Sequence, residues 1–315
     1  MKAIRLHGRG GPEQLVFEDA PQPVPGPGDA VVRIAATAIT RTELTWDQTY
    51  QNPDGSPRIP TIPGHEFSGI VESLPSVATG LAIGDAVYGL ADFPRDGAAA
   101  EYLAVRATNL AHKPRSVDHL HSAAVTLSGL TAWQALFTHG GVEAGQRILI
   151  HGGAGGVGVF AIQLAHWKGA HIVTTSSAAN FDFLRSLGAD EIIDYSKTRF
   201  EDAVHDVDLV LDAVGGDTVD RSWKVLRPDG MLISVAEPIA PEEAEKHGAR
   251  GFFFIVEPSR EQLEHIGALI DSGSLKIEIA KVFPLAQART AFELALEGHT
   301  RGKIVLEVRD DTTGV

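Results

Sequence analysis

The 315-residue sequence predicts an α/β protein that combines a β-rich N-terminal region with a doubly wound parallel sheet. Up to about residue 115, short apolar stretches alternate with Gly- and Pro-rich turns, which is typical of an all-β region. From about residue 118, short apolar strands alternate with helix-like segments, which is the pattern of right-handed βαβ units. The length exceeds the roughly 250 to 300 residues at which a single core stops growing, so two domains are expected.

The predicted elements follow in chain order. The N-terminal strands are KAIRLHG, LVFED, DAVVRIAATAI, FSGIVESL and DAVYGLAD, and residues 49–64 are the clearest irregular loop. A helix over DHLHSAAVTLSGLTAWQALF precedes the strands RILIHGG, AHIVTTSS, DEIIDY, VDLVLDAVGG and GMLISVAE. The helix SREQLEHIGALIDSG, the strand KIEIAKVF, the helix LAQARTAFELALEG and the strand KIVLEV complete the chain. We assign this tail to the first domain, which predicts one domain over residues 1–117 and 259–315 and another over residues 118–258.

Composition and charge exclude several classes of function. A net charge of −14 disfavours nucleic acid and anionic membrane surfaces as partners, because both require basic residues. The absence of Cys excludes disulfides, thiolate nucleophiles and cysteine-held metal sites. The N-terminus has no apolar run of the kind found in a secretory signal, so we expect a cytoplasmic protein. Residues 148–167 lack charged side chains over a membrane-spanning length, but their five glycines and two histidines argue against a membrane segment.

One glycine cluster carries the clearest motif. It satisfies G-x-G-x-x-G through Gly153, Ala154, Gly155, Gly156, Val157 and Gly158. The motif alone is weak in a chain with 33 glycines, but here it directly follows a strand and opens a helix with apolar residues at helical spacing. In that context the glycines permit a tight turn, a close approach to pyrophosphate and close packing of helix on strand. The motif therefore predicts a dinucleotide site, with a glycine-rich packing turn as the alternative.

The end of the next strand indicates which dinucleotide binds. NAD-binding proteins usually place an acid there against the ribose 2′-hydroxyl, but the first acid in this chain is Asp182. Three polar side chains are available instead to donate to a 2′-phosphate: Ser176, Ser177 and Asn180. This favours NADP(H) over NAD(H). Against it, no Lys or Arg lies between Lys168 and Arg185 to supply a cation.

The segments LSGLTAW, IHGGAGGVG, RSLGADEIIDY, VDLVLDAVGG and RGKIVLEV together resemble the medium-chain dehydrogenase/reductase superfamily, specifically its zinc-independent quinone oxidoreductase-like branch. The resemblance covers essentially the whole chain. It implies a GroES-like catalytic domain over residues 1–117 and 259–315, a Rossmann cofactor domain over residues 118–258, and a cleft between them. It also implies a homodimer, for which the apolar stretch GFFFIV at 251–256 is a candidate edge strand.

The same resemblance implies further cofactor contacts. Thr131 would lie near the nicotinamide mononucleotide half, and Val214 and Gly215 would border the cofactor. Tyr195 matches a tyrosine placed against the adenosine phosphate, with an ordinary half-buried strand residue as the alternative. Arg41 is a candidate for the pyrophosphate, or else an exposed arginine.

The positions of the catalytic zinc ligands in the zinc-dependent relatives hold Thr40, His65 and Leu127. A catalytic zinc needs three protein ligands, and only the histidine is one of these. We therefore expect no metal and interpret His65 as a cleft-lining or packed histidine. Hydride transfer must then depend on positioning, which suits acceptors that delocalise the developing negative charge.

Candidate groups for this chemistry lie in residues 39–51 and near residue 252. Thr42 matches a proton-relaying hydroxyl of the zinc enzymes, with helix capping as the alternative role. Tyr50 is a phenol on the adjoining loop and is either a proton donor or a surface residue. Apolar walls for a flat acceptor, or ordinary core residues, are Trp46, Phe252 and Phe253.

These observations predict an NADPH-dependent reductase whose small-molecule substrate is a quinone or an α,β-unsaturated carbonyl compound. The alternatives within the superfamily are an alcohol dehydrogenase or a pathway-specific enoyl reductase. A noncatalytic NADPH-binding or structural protein is the alternative from another class.

Overall fold

The computed structural model describes residues 1–75, 80–298 and 300–309. Within them the strands are β1 (Lys2–Leu6), β2 (Leu15–Asp19), β3 (Asp29–Ala38), β4 (Glu66–Ser73), β5 (Ala86–Leu90), β6 (Tyr102–Arg106), β7 (Leu110–His112), β8 (Arg147–His151), β9 (His171–Ser176), β10 (Glu191–Asp194), β11 (Val207–Asp212), β12 (Leu226–Ser234), β13 (Arg250–Phe253), β14 (Ile279–Pro284) and β15 (Lys303–Glu307). The α-helices are α1 (Asp47–Tyr50), α2 (His119–Trp133), α3 (Gly156–Lys168), α4 (Phe181–Ser186), α5 (Phe200–Ala203), α6 (Asp217–Ser222), α7 (Pro241–Lys246), α8 (Arg260–Asp271) and α9 (Ala288–Glu297). A π-helix over Gln134–His139 continues α2.

The first unit comprises the described residues of Met1–Leu127, Glu257–Gly273 and Ile277–Val315. Its main sheet has the order β14-β15-β3-β4-β5-β7, and β6 also pairs with β3. β14 and β15 run parallel, whereas β15 and the strands beyond it pair antiparallel. The strand β15 thus brings the end of the chain beside β3, and the strand β4 lies on the other side of β3.

The second unit comprises Ser128–Val256 and Ser274–Lys276 and contains a six-stranded parallel sheet. The order β10-β9-β8-β11-β12-β13 reverses direction between β8 and β11. In such doubly wound sheets, ligands bind beyond the carboxyl ends of the strands at this switch point. Consecutive residues of the central strands β8 and β11 are buried, which means that both faces of these strands are covered and explains their nearly continuous apolar runs.

The structure confirms the predicted fold class and most of the predicted elements. Two short strands, β6 and β7, were not predicted, because their pairing partners lie far away in the chain. The predicted loop over residues 49–64 begins too early, since residues 49 and 50 end the helix α1. The division between the units falls at residue 127, within α2, and the predicted domain boundaries stay a prediction.

Residues 148–167, the uncharged stretch, are divided between β8 and α3. Across the described ranges, no helix is both long and apolar enough to cross a membrane.

Candidate functional site

The glycine motif forms the turn between β8 and α3 in the second unit. A Cβ atom at Gly153 would lie 2.2 Å from Oγ1 of Thr174, and one at Gly158 would lie 2.3 Å from the carbonyl oxygen of Gly152. Gly152 itself has φ +75°, which favours glycine. Side chains are therefore excluded from these positions, because Gly153 packs against β9 and Gly158 packs against the backbone of the turn itself. A loop without side chains also lets a ligand approach the backbone closely.

The N-terminus of α3 supplies free backbone donors beside this loop. Gly155 is the N-cap of the helix, and its carbonyl accepts the first intrahelical bond from the amide of Val159 at 3.1 Å. The amides of Gly156, Val157 and Gly158 come before that bond, so they face outward at the positive end of the helix dipole. This arrangement fits the pyrophosphate of a dinucleotide.

The end of β9 carries hydroxyl groups and no carboxylate. Ser176 is the last residue of the strand and is buried, and Ser177 follows it. Nδ2 of Asn180 donates to Oγ of Ser176 at 3.2 Å and to Oγ of Ser177 at 3.3 Å. The structure therefore brings together the three polar side chains that the sequence singled out. Tyr195, directly after the neighbouring strand β10, is 55% exposed at the same edge of the sheet.

The turn after β11 is held by a buried carboxylate. Asp212 accepts hydrogen bonds from the amide of Gly215 at 3.0 Å, the amide of Val214 at 3.2 Å and the hydroxyl of Ser234 at 3.2 Å. Burial raises the pKa of Asp212, and these donors act in the opposite direction. The side chain of Val214 is exposed beyond the switch point, and the φ of Gly215 is +82°. Sequence reasoning named Val214 and Gly215 but missed the aspartate that positions them.

His151 ends β8 and was given no role by the sequence. Its Nδ1 lies 3.0 Å from Oγ1 of Thr175, and its Nε2 lies 3.1 Å from Oγ of Ser222. Burial lowers the pKa of His151 to about 3, so the ring is neutral. The imidazole therefore joins β8, β9 and α6 close to the glycine loop.

A cluster of buried polar side chains lies in the first unit. Nζ of Lys303 on β15 bonds to Oε1 of Glu66 on β4, and Oγ1 of Thr40 donates to the same oxygen at 3.0 Å. The lysine is only 4% exposed and the glutamate 1%. This buried ion pair was not predicted, because its members are 237 residues apart in the chain.

Glu43 and His65 belong to the same buried region. Oε1 of Glu43 accepts from the amide of Gly64 and lies 3.4 Å from Nε2 of His65. Burial raises the pKa of Glu43 to about 7 and lowers the pKa of His65 to about 3. Among the described residues, Nδ1 of His65 and Oε2 of Glu66 have no hydrogen-bond partner. We call Thr40, Glu43, His65, Glu66 and Lys303 the buried polar cluster.

Aromatic rings cover the histidine of this cluster. The ring of Trp46 stacks on His65 with centroids 6.2 Å apart, and the ring of Phe93 lies 4.8 Å from His65. Trp46 and Phe93 also contact each other edge to face at 5.5 Å. Trp46 is half-buried, which keeps it available as an apolar wall, whereas Phe93 was not singled out from the sequence.

The two candidate proton donors have different surroundings. Thr42 is exposed and begins a short 3-10 helix without a side-chain capping bond, and Arg41 beside it is also exposed. Tyr50 is only 4% exposed, and its hydroxyl donates to the carbonyl of Leu44 at 2.6 Å. Burial raises the pKa of Tyr50. Tyr50 is therefore not a loop or surface residue, because it ends α1 with its ring packed inward. The roles of these residues stay predictions.

The remaining candidate residues lie in the second unit. Thr131 is buried on α2. Phe252 on β13 is 37% exposed, and its ring contacts His139 at 4.6 Å and Phe254 at 6.2 Å. Phe253 alternates with it and is half-buried.

The described part of the chain offers no metal centre. No group of three or more His, Cys, Asp or Glu side chains there is arranged to hold a metal ion. Of the positions matched to zinc ligands, Thr40 bonds to Glu66 and His65 is packed beside Glu43, while Leu127 is buried.

Comparisons with known proteins agree with this architecture. Residues 26–115 match the family described as alcohol dehydrogenase GroES-like domain, and residues 187–306 match the family described as zinc-binding dehydrogenase. The chain is 31% identical to a probable zinc-binding oxidoreductase, mitochondrial, of Arthroderma benhamiae, with 93% of each protein covered. It is 32% identical to the NADPH-dependent alkenal/one oxidoreductase, chloroplastic, of Arabidopsis thaliana, over 88% of this chain and 71% of that protein.

The fold is similar to that of a solved structure, the quinone oxidoreductase from Coxiella burnetii. The TM-score is 0.92 at 35% sequence identity, and the alignment covers 98% of this chain and 99% of the other. The glycine loop, the order of the strands in the parallel sheet and these matches all indicate the same family. The chain belongs to the medium-chain dehydrogenase/reductase superfamily, in its quinone oxidoreductase-like branch.

Proposed function

We propose that this chain is an NADPH-dependent reductase that transfers a hydride to a quinone or an α,β-unsaturated carbonyl compound without using a metal ion. The observation that carries the proposal is the glycine loop between β8 and α3, combined with the absence of a carboxylate at the end of β9. The names of the similar Arabidopsis and Coxiella proteins, an NADPH-dependent alkenal/one oxidoreductase and a quinone oxidoreductase, support it.

The residues of the second unit would bind and orient the cofactor, which supplies the hydride when bound. The free amides at the start of α3 would hold the pyrophosphate. The polar side chains of Ser176, Ser177 and Asn180 would face the adenosine ribose. Tyr195 would lie against the adenosine phosphate. Thr131, Val214 and Gly215 would border the nicotinamide half, while Arg41 of the first unit is proposed for the pyrophosphate.

The acceptor chemistry explains why few donor groups are needed. Hydride addition to the β-carbon of an enone moves an electron pair onto the carbonyl oxygen, and the resulting enolate then takes one proton at the α-carbon. Because conjugation spreads the negative charge, one or two hydrogen-bond donors suffice to stabilise it. We propose Thr42 as such a donor, with Tyr50 as the second candidate. We also propose Trp46, Phe252 and Phe253 as apolar walls against the acceptor.

The activity is tested by measuring NADPH oxidation against a panel of quinones and enones, with the NADPH dissociation constant measured separately. We expect turnover with at least one class, unchanged after treatment with a chelator. Tight NADPH binding without turnover of any compound would instead indicate a noncatalytic binding protein. Stoichiometric bound zinc, with activity lost on chelation, would contradict the metal-free reaction.

The donor assignment is tested by comparing Thr42→Val with Tyr50→Phe. If the exposed hydroxyl of Thr42 donates to the acceptor, Thr42→Val should lower kcat by roughly 100-fold, as expected for a positioned proton donor. The NADPH dissociation constant should not change. We expect Tyr50→Phe to retain most of the activity, because its hydroxyl is already bonded to Leu44. If Tyr50→Phe instead lowers kcat more than Thr42→Val does, Tyr50 and not Thr42 is the proton donor.

We also propose that the chain forms a homodimer and is cytoplasmic. β13 lies at the edge of the parallel sheet and pairs with β12 on one side. An edge of this kind can extend its sheet by pairing with a second copy. Light scattering at micromolar concentration tests the dimer, and a monomer would contradict it. Imaging of a tagged chain tests the location, and import into an organelle would contradict it.

A further inference from the structure

The turn that follows β10 lies beside the residues that follow β9. The two strands are parallel, and Asp194, the last residue of β10, is opposite Ser176, the last residue of β9. Neighbouring strands are about 4.8 Å apart. Residues just after Asp194 and residues just after Ser176 therefore leave the sheet side by side, at the edge where the proposed function places the adenosine ribose.

The geometry of this turn is well defined. The carboxylate of Asp194 accepts from the amide of Ser196 at 3.0 Å and from its hydroxyl at 2.6 Å. The carbonyl of Asp194 accepts from the amides of Lys197 at 3.0 Å and Thr198 at 2.9 Å. These four bonds fix the backbone of Lys197 close to the end of β10, although the residue itself is in a turn.

The side chain of Lys197 is held only weakly. Its Nζ lies 3.5 Å from Oδ2 of Asp194, and the lysine side chain is 75% exposed. An ion pair of this length, made by an exposed lysine, stabilises the fold only slightly, so the ammonium can exchange this partner for a stronger one. The next cation, Arg199, is bound instead to the carboxylate of Glu201 at 2.6 Å.

The cations that flank β9 in the sequence are placed elsewhere. Lys168 ends α3 at the amino end of β9, on the opposite edge of the sheet, and pairs with Glu143 at 3.2 Å. Arg185 pairs with Asp182 at 3.2 Å on α4. The polar groups at the end of β9 are therefore uncharged, and a phosphate dianion there would need a cation from another strand.

We propose that Lys197 binds the 2′-phosphate of NADPH beside Ser176 and Ser177 and thereby sets the preference for NADPH over NADH. This inference rests on the proposed function and names the residue that determines its cofactor specificity. The ammonium would leave Asp194 and bind the phosphate, because a hydrogen bond between an ammonium and a phosphate dianion is stronger than the long ion pair with Asp194. With NADH, which lacks the phosphate, Lys197 would keep its contact with Asp194.

The test measures dissociation constants by titration calorimetry for NADPH, NADH, 2′,5′-ADP and 5′-AMP. In Lys197→Gln we expect the constants for NADPH and 2′,5′-ADP to rise by roughly tenfold or more, as for loss of a charged hydrogen bond. Those for NADH and 5′-AMP should stay within about twofold. The control is Lys224→Gln, an exposed lysine of the same unit on a different segment, which should leave all four constants unchanged.

A second variant changes Asp194, the residue from which the phosphate would have to draw the ammonium of Lys197. Asp194→Asn keeps an oxygen acceptor for Ser196 but removes the competing charge, so we expect NADPH and 2′,5′-ADP to bind several-fold more tightly. Unchanged ratios of NADPH to NADH affinity in both variants would overturn the inference.

Failure of this inference is distinguishable from failure of the proposed function. If wild-type protein turns over a quinone or enone with NADPH while Lys197→Gln keeps wild-type affinities, only the assignment of Lys197 is wrong. If wild-type protein binds neither NADPH nor 2′,5′-ADP, the proposed function is wrong as well.

Discussion

The glycine loop of the second unit and the buried polar cluster of the first unit depend on different interactions. The loop acts through backbone atoms, and its geometry requires that side chains be absent at Gly153 and Gly158. The cluster acts through buried ionisable side chains, among them the ion pair of Glu66 and Lys303. Steric space therefore limits substitution in the loop, and charge balance limits substitution in the cluster.

The largest effect is expected from a side chain in the loop. In Gly158→Ala the new Cβ atom would lie 2.3 Å from the carbonyl oxygen of Gly152, so the loop or the helix must shift. We expect NADPH binding to be lost and the free energy of unfolding to fall by about 3 kcal/mol. Calorimetry and denaturant unfolding measure the two effects.

The matched variant for the loop is Gly155→Ala. Its Cβ atom would lie 3.2 Å from the carbonyl oxygen of Gly152, so the backbone of the loop needs to shift only slightly. This variant should fold with nearly unchanged stability but bind NADPH more weakly, since the methyl group would be added at the N-cap of α3, where we propose that the pyrophosphate binds. Equal stability of both alanine variants would contradict the steric interpretation.

The next effect breaks the charge balance of the cluster. Lys303→Met leaves the carboxylate of Glu66 buried without its counter-ion, which should lower the free energy of unfolding by roughly 3 to 5 kcal/mol. The double variant Glu66→Gln with Lys303→Met removes both charges and should recover most of this loss. A single variant with wild-type stability, measured by denaturant unfolding, would show that the pair is not needed.

A smaller effect is expected in the pH dependence of stability. The pKa of Glu43 is raised from 4.5 to about 7, so its proton stabilises the folded state at low pH. This contribution is lost as the pH rises through that interval, by roughly 3 kcal/mol in total. In Glu43→Gln, unfolding followed between pH 5 and pH 8 should show a smaller decline with rising pH than the wild type. An identical pH profile would argue against a raised pKa at Glu43.

Much of the second unit could be predicted from local sequence. The glycine motif, the strand before it and the helix after it are contiguous, and the polar residues 176, 177 and 180 follow the next strand closely. Their proximity to the loop follows from parallel strand pairing, which the βαβ pattern already implies. Asp212 was missed because an aspartate that ends an apolar strand gives no local signal in the sequence that it will be buried and will hold the following turn.

Other features required contacts between distant segments. The buried position of Tyr50 depends on packing that a turn-rich stretch does not reveal. The pairing of Asp194 with Ser176 brings the end of β10, and with it the turn that contains Lys197, to the same edge of the sheet as the end of β9. The sequence around β9 itself offers no cation.

The sequence by itself determined the fold class, the dinucleotide loop and the missing ribose-binding acid, because each depends on residues close together in the chain. Only the tertiary structure decided the partners of the charged groups. Lys303 meets Glu66 because β15 and β4 both pair with β3, and an ion pair between sheet neighbours leaves no periodic pattern in the sequence.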